Sequence, residues 1–181
     1  MWKRQGKFFD GIDGRAQCPV VDVLNDGFWR IYFSHRDDNN HSYTSYIDVE
    51  EGNPENVLRS SEVPVLSPGP LGSVDQAGAM ATSIISNGAT KYLYYIGWTR
   101  GVSVPYISSL GLALSNKING NFKKYSEAPI LGRNGTDSEG RRIWNVEDQL
   151  GTKMQKIIGH LVEAQAPLNW RQMKRLGLQV L

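Results

Sequence analysis

Cysteine is nearly missing from this chain. Cys18 is the only one in 181 residues, so an internal disulfide is excluded. Histidine is scarce too. His35, His41 and His160 show no metal-ligand spacing, and there is no glycine loop of the phosphate-cradling kind, so neither a metal nor an organic cofactor is expected. No apolar run approaches the roughly 20 residues of a transmembrane helix. The opening Met1-Trp2-Lys3-Arg4-Gln5-Gly6 lacks the apolar stretch of a signal peptide. These absences set the expectation of a cytoplasmic protein with no membrane partner. An excess of one charge is also absent. Twenty Lys and Arg stand against 18 Asp and Glu, a formal net charge of +2, too mild a balance for a nucleic-acid partner. The basic stretch from Gly151 to Leu181 reads as a solvated face.

What is present is a repeat. Ser61-Glu62-Val63-Pro64-Val65-Leu66 returns as Ser126-Glu127-Ala128-Pro129-Ile130-Leu131, a shift of 65 residues (126 minus 61). That is too long for a helical solenoid unit of about 33–47 residues, and it suits a unit of several short strands. The run Pro19 to Leu24, the turn signal Asn25-Asp26-Gly27 and the run Phe28 to Phe33 read as strand, turn, strand. So do Met80 to Ile85, Ser86-Asn87-Gly88 and Tyr92 to Ile96. Third strands are expected at Tyr43 to Val49 and Leu110 to Ser115, and fourth strands at Val57 to Leu66 and Phe122 to Leu131. Four short antiparallel strands per repeated unit is the pattern of a β-propeller blade. A sandwich is the alternative, although it does not require sequence repetition.

The expected organisation is therefore an all-β single domain, a partial propeller of about two complete blades and a damaged third. Residues 1–17 form a closing strand and lead-in, 18–66 and 67–131 two blades, and 132–181 an incomplete blade. In that last part Arg142 to Val146 resembles a second strand, Met154, Ile157, Ile158 and Leu161 have helical spacing, and Trp170-Arg171 would open a fourth strand. An unclosed ring leaves unpaired strand edges, which invites self-association.

The runs Trp29 to Asp37, Tyr94 to Arg100 and Ser126 to Leu131 resemble bacterial glycosidase-like proteins of the five-bladed β-propeller superfamily that contains arabinanases, levansucrases and invertases. The resemblance covers residues 2 to about 133 and becomes patchy beyond. It implies a shallow sugar site at the axis of the ring, with acidic residues supplied by the first strands of successive blades. Cleavage of a glycosidic bond needs two carboxylates, one protonated and one ionised. The chain departs from that pattern at Gln17-Cys18-Pro19, which has no carboxylate, and at Gln76 and Ala81, where related proteins carry an Asp and a Pro.

On this resemblance Asp75 is the candidate catalytic carboxylate, acidic or orienting. Its alternative is a turn-capping Asp after a Pro/Gly-rich stretch. Arg36 and Asp37 are candidate sugar ligands, because a guanidinium forks onto hydroxyls or carboxylates and a carboxylate accepts from hydroxyls. His35 is a further candidate; all three could equally form a polar loop. Trp98 and Arg100 hold the corresponding place in the second unit, as an aromatic-plus-cation subsite or as packing between blades. Tyr106 could line the same rim. Asp22 reads as a strand-end residue bonded to backbone. Glu62 and Glu127 recur in both units, which argues for structural roles, and Cys18 reads as a packed thiol. The function implied is a glycoside hydrolase or glycosylase-like protein of sugar or surface-polysaccharide metabolism with a carbohydrate ligand. The alternatives are a non-catalytic carbohydrate-binding module or an inactive fragment of a longer glycosidase.

Overall fold

A computed structural model describes residues 6–11, 15–24, 27–116 and 122–130, all within the unit spanning residues 1–132. The readings made for residues 1–5 and 131–181, including the incomplete blade and its helical stretch, lie outside the described residues. Among the described residues the structure is all-β, and no helix is long and apolar enough to cross a membrane.

Two four-stranded antiparallel blades follow one another. The first comprises β1 (Gln17–Val23), β2 (Phe28–Arg36), β3 (Ser42–Glu50) and β4 (Asn53–Ser60). The second comprises β5 (Gly78–Asn87), β6 (Thr90–Thr99), β7 (Ile107–Ser115) and β8 (Lys123–Lys124). Within each, neighbours in sequence are neighbours in the sheet, as in a meander built from hairpins. The turn between β5 and β6 shows why: Asn87 pairs Thr90 across two residues, and Gly88 takes φ +58°, a region open to glycine. One parallel pairing, Ser42 with Gly78, joins the blades where β3 and β5 both begin.

The 65-residue shift is a structural register. β7 begins 65 residues after β3, and the pair Asp48–Arg59 of the first blade becomes Ala113–Lys124 in the second. The repeated hexapeptide itself lies outside the fourth strands, which end earlier than their expected limits. Pro64 and Pro129 have no N–H to donate to a ladder. The chain therefore leaves the β3 ladder after Ser61, whose N–H donates to the Tyr46 carbonyl at 2.9 Å, and returns through Val65 and Leu66, whose N–H groups donate to the Thr44 carbonyl at 2.8 and 3.3 Å. After β8, Ile130 likewise returns to the third strand, donating to the Leu110 carbonyl at 2.9 Å, one residue beyond the position equivalent to Thr44. Glu62 and Glu127 are exposed in these segments.

Alternation of side chains gives β6 one fully buried row, Lys91, Leu93, Tyr95 and Gly97, and one half-buried row, Thr90, Tyr92, Tyr94 and Ile96. Tyr32, Tyr46, Val65 and Leu66 of the first blade and Ala79, Ala81, Leu93, Tyr95, Ala113 and Phe122 of the second form one apolar cluster. Each large side chain buried there contributes on the order of 1.5–3 kcal/mol by leaving water. A second cluster, Ile31, Phe33, Ile47 and Val49, is covered by Trp29 and by Phe9, whose ring meets Phe33 edge-on at 5.1 Å. Asp22 departs from its expected role: its carboxylate pairs with the Lys91 ammonium of the other blade, and both groups are buried. Lys91 also donates to Ser86 Oγ at 3.3 Å. A buried carboxylate needs such a partner more than a backbone bond can supply.

Candidate functional site at the shared end of the blades

β2 ends at Arg36, β3 begins at Ser42, β5 begins at Gly78 and β6 ends at Thr99, so antiparallel order brings all four termini to one end of the blades. There the indole N–H of Trp98 donates to Ser42 Oγ at 3.2 Å. Gly78 lies directly against Trp98 and Ser42, and a Cβ in its place would collide with both. Trp98 is 7% exposed, which leaves little ring for a ligand to stack upon. It serves instead as a floor for Arg36, whose guanidinium carbon lies 5.4 Å from the Trp98 ring centroid. Arg36 Nη1 donates to Asn40 Oδ1 at 2.8 Å, while its Nε is buried with no hydrogen-bond partner.

Asp37 closes the hairpin that carries Arg36. Oδ1 accepts the His41 backbone N–H at 2.7 Å, and Oδ2 lies 3.2 Å from His41 Nδ1 and accepts the Tyr43 hydroxyl at 3.3 Å. The His41 backbone bond is the main reason its carboxyl is held below the usual range. Arg100 reaches the same hairpin, donating Nη2 to the Asn39 carbonyl at 2.5 Å. Gln76 donates to Thr99 Oγ1 at 2.7 Å and accepts from the Gly72 N–H at 2.6 Å. Its neutral amide ties the approach loop to the end of β6.

The remaining candidates stand apart. His35 points to the other face of β2, where its Nε2 lies 3.0 Å from Ser45 Oγ and its ring stacks on Tyr43 at 5.8 Å. Tyr106 precedes β7 and is 46% exposed, the open aromatic ring among the candidates.

Asp75 is only 3% exposed. Oδ1 accepts from Ser73 Oγ at 2.9 Å. Oδ2 accepts the Tyr95 hydroxyl at 3.0 Å and lies 2.6 Å from Lys124 Nζ. Burial, and then the adjacent carboxylate, push the Tyr95 phenol well above its ordinary range. Asp75 thus ties the loop before β5 to β6 and β8 of the second blade through a filled set of donors. The sequence singled out Asp75 but gave no sign of Lys124 as its partner, and it singled out Asp37 without His41 and Tyr43. The usable signal for Asp37 is the i, i+4 and i, i+6 spacing across a short hairpin; for Lys124 there was none within its own blade.

No family model matches the sequence. Uncharacterized proteins from two strains of Mycobacterium tuberculosis are 31% identical over 142 residues, which is 75% of this chain and 47% of theirs. The match thus spans about half the length of these relatives. A solved structure described as a glycoside hydrolase aligns at TM-score 0.52 with 16% identity, over 76% of this chain and 46% of its own. The GH43_1 enzyme from Xanthomonas citri, complexed with xylose, aligns at TM-score 0.50 with 17% identity, over 75% and 40%. At such identity the likeness establishes the fold: an all-β partial five-bladed propeller of four-stranded antiparallel blades.

Proposed function

We propose that the shared end of the blades is a carbohydrate-binding site in sugar or surface-polysaccharide metabolism, with Arg36 and Arg100 as polar ligands, Trp98 as the floor beneath Arg36, and Tyr106 as the open ring. The observation that carries this reading is the convergence of Arg36, Arg100 and Trp98, from both blades, on one hairpin end. Asp37 sets the hairpin's shape and so the position of Arg36. Asp75 acts as an orienting residue: its carboxylate is filled by Ser73, Tyr95 and Lys124, whereas a general acid or base must reach the substrate. The xylose in the Xanthomonas citri structure and the glycoside hydrolase fold of the other neighbour support a sugar as the ligand class. Titration of the full chain with a panel of methyl glycosides, read by tryptophan fluorescence and NMR shifts, tests it. Saturable binding that is weakened in Arg36→Ala and survives Asp75→Asn is expected. Failure of every sugar to perturb the spectra would sink the reading.

A second reading, hydrolysis of a glycosidic bond, is favoured by the fold of those same neighbours. It requires a carboxylate pair flanking the bond, which the described residues do not bring together. Turnover of aryl glycosides by this chain, abolished in Asp75→Asn with the fold intact, would overturn the binding-only assignment.

A further inference from the structure

Among the described arginines, Arg15, Arg30 and Arg59 each pair with a carboxylate: Asp38, Asp48 and Asp48 respectively. Arg36 and Arg100 do not. Their hydrogen bonds go to neutral oxygens, the Asn40 side chain and the Asn39 carbonyl, on adjacent residues of one hairpin. The acidic groups nearby are already committed. Asp37 is filled by His41 and Tyr43, Asp75 by Ser73, Tyr95 and Lys124, and Asp38, at the exposed tip, lies 3.5 Å from Arg15. His41 adds a further positive charge when protonated. The site therefore holds two guanidiniums without a counter-ion, and one of them, Arg36, has a buried Nε–H with nothing to donate to.

Leaving a buried donor of a charged group unsatisfied costs more than pairing it returns in water. A guanidinium presents its Nε–H and one Nη–H as a planar fork that matches the two oxygens of a carboxylate, whereas a sugar hydroxyl can accept only one of them well. We propose that the ligand of this site is an acidic sugar, whose carboxylate is held by the guanidinium of Arg36, with Arg100 supplying the second positive charge. The assignment rests on the carbohydrate reading above and narrows it from sugars in general to uronic-acid-type saccharides.

The test is a set of matched pairs, the methyl glycosides of glucuronate and glucose, galacturonate and galactose, and mannuronate and mannose, titrated into the full chain by NMR. The acidic member of at least one pair is expected to bind about tenfold more tightly than its neutral partner, the scale of one charge-assisted hydrogen bond. That margin should shrink with added salt. Arg36→Gln should erase the margin, and Arg36→Lys, which keeps the charge and loses the fork, should keep only part of it. Arg100→Gln lies on the exposed rim and should reduce the margin without altering the fold, which guards against misfolding of the Arg36 variants. Equal binding of acidic and neutral members overturns the acidic-sugar assignment and leaves carbohydrate binding standing. An acidic preference that is unchanged in both Arg36→Gln and Arg100→Gln also overturns it. Absence of binding by any member overturns both.

Discussion

In the first blade Arg30 faces Asp48 across β2 and β3, donating Nε and Nη2 at 2.7 and 2.8 Å, and Arg59 of β4 meets the same carboxylate at 3.5 Å. Arg30 also lies 3.8 Å above the Tyr46 ring. At the corresponding register positions the second blade has Leu93, Ala113 and Lys124. With no acid at position 113, Lys124 turns to Asp75 instead. The Tyr32–Tyr46 pair, with rings 6.1 Å apart, becomes Tyr95 and Gly111, and the Tyr95 ring occupies the space that a side chain at 111 would need. One strand plan thus carries an ionic interior in one copy and an apolar interior in the other. The cation released in the second copy is the one that pairs with Asp75.

The largest effect should come from breaking the first blade's interior on one side only. Asp48→Ala leaves Arg30, 2% exposed, without its carboxylate and should cost about 3–5 kcal/mol, the scale for orphaning one member of a buried pair. Arg30→Leu together with Asp48→Ala copies the second blade's own Leu93–Ala113 pair and should recover most of that loss. Chemical denaturation of the two variants and the parent decides it. If the double variant is less stable than Asp48→Ala alone, the two interiors are not interchangeable.

This comparison also marks what could be read from residues alone. The blades were legible because hairpin turns, alternating strands and a 65-residue repeat are local or self-referential signals. The ends of the fourth strands are not legible from the repeat, because Pro64 and Pro129 sit inside the repeated motif and their missing N–H groups interrupt the ladder there. Arg36 in one unit, and Trp98 with Arg100 at the corresponding place in the other, are legible as candidates, but not the contact of Arg36 with Trp98, since alternation assigns a face and not a partner in another blade. Asp22 with Lys91 is hidden for the same reason, 69 residues apart. Lys124 with Asp75 depends on the absence of an acid at position 113, which no single motif displays.

A smaller effect should separate the two equivalent cations. Lys124→Met removes one of three partners from the buried Asp75 and should cost about 2 kcal/mol, the range for a hydrogen bond to a charged group. Arg59→Met removes a side chain 48% exposed, from a carboxylate that Arg30 still holds, and should cost under about 1 kcal/mol. Equal losses in thermal unfolding would contradict the different roles assigned to them.

Ser34 and Gly97 are also equivalents, each paired to the start of the third strand of its blade, at Thr44 and Ser109. A Cβ at Gly97 would stand 2.7 Å from Asp75 Cβ, so Gly97→Ala should cost about 1–3 kcal/mol by overpacking. Ser34→Ala should change stability by less than about 0.5 kcal/mol, because the buried Ser34 hydroxyl has no hydrogen-bond partner. Comparable losses at both positions would show that Gly97 is not there to admit Asp75.

The last contrast is nearly silent at neutral pH. Tyr32 and Tyr95, one per blade, both have phenols pushed well above their ordinary range, in each case first by burial and then by a carboxylate, Asp22 or Asp75. A folded-state value raised above the unfolded one, about 10, means that the folded form holds the proton more tightly. The stabilisation is complete below the unfolded value and is lost as pH climbs from there toward the raised one. Denaturant midpoints should therefore be flat from pH 8 to near 10 and fall above it. Tyr32→Phe and Tyr95→Phe should each flatten that fall, and the double variant should flatten it most. Because the phenol of Tyr95 also donates to Asp75, Tyr95→Phe should lower the plateau as well, by about 1 kcal/mol. An alkaline slope untouched by either substitution would mean that the two buried phenols are not what ties stability to high pH.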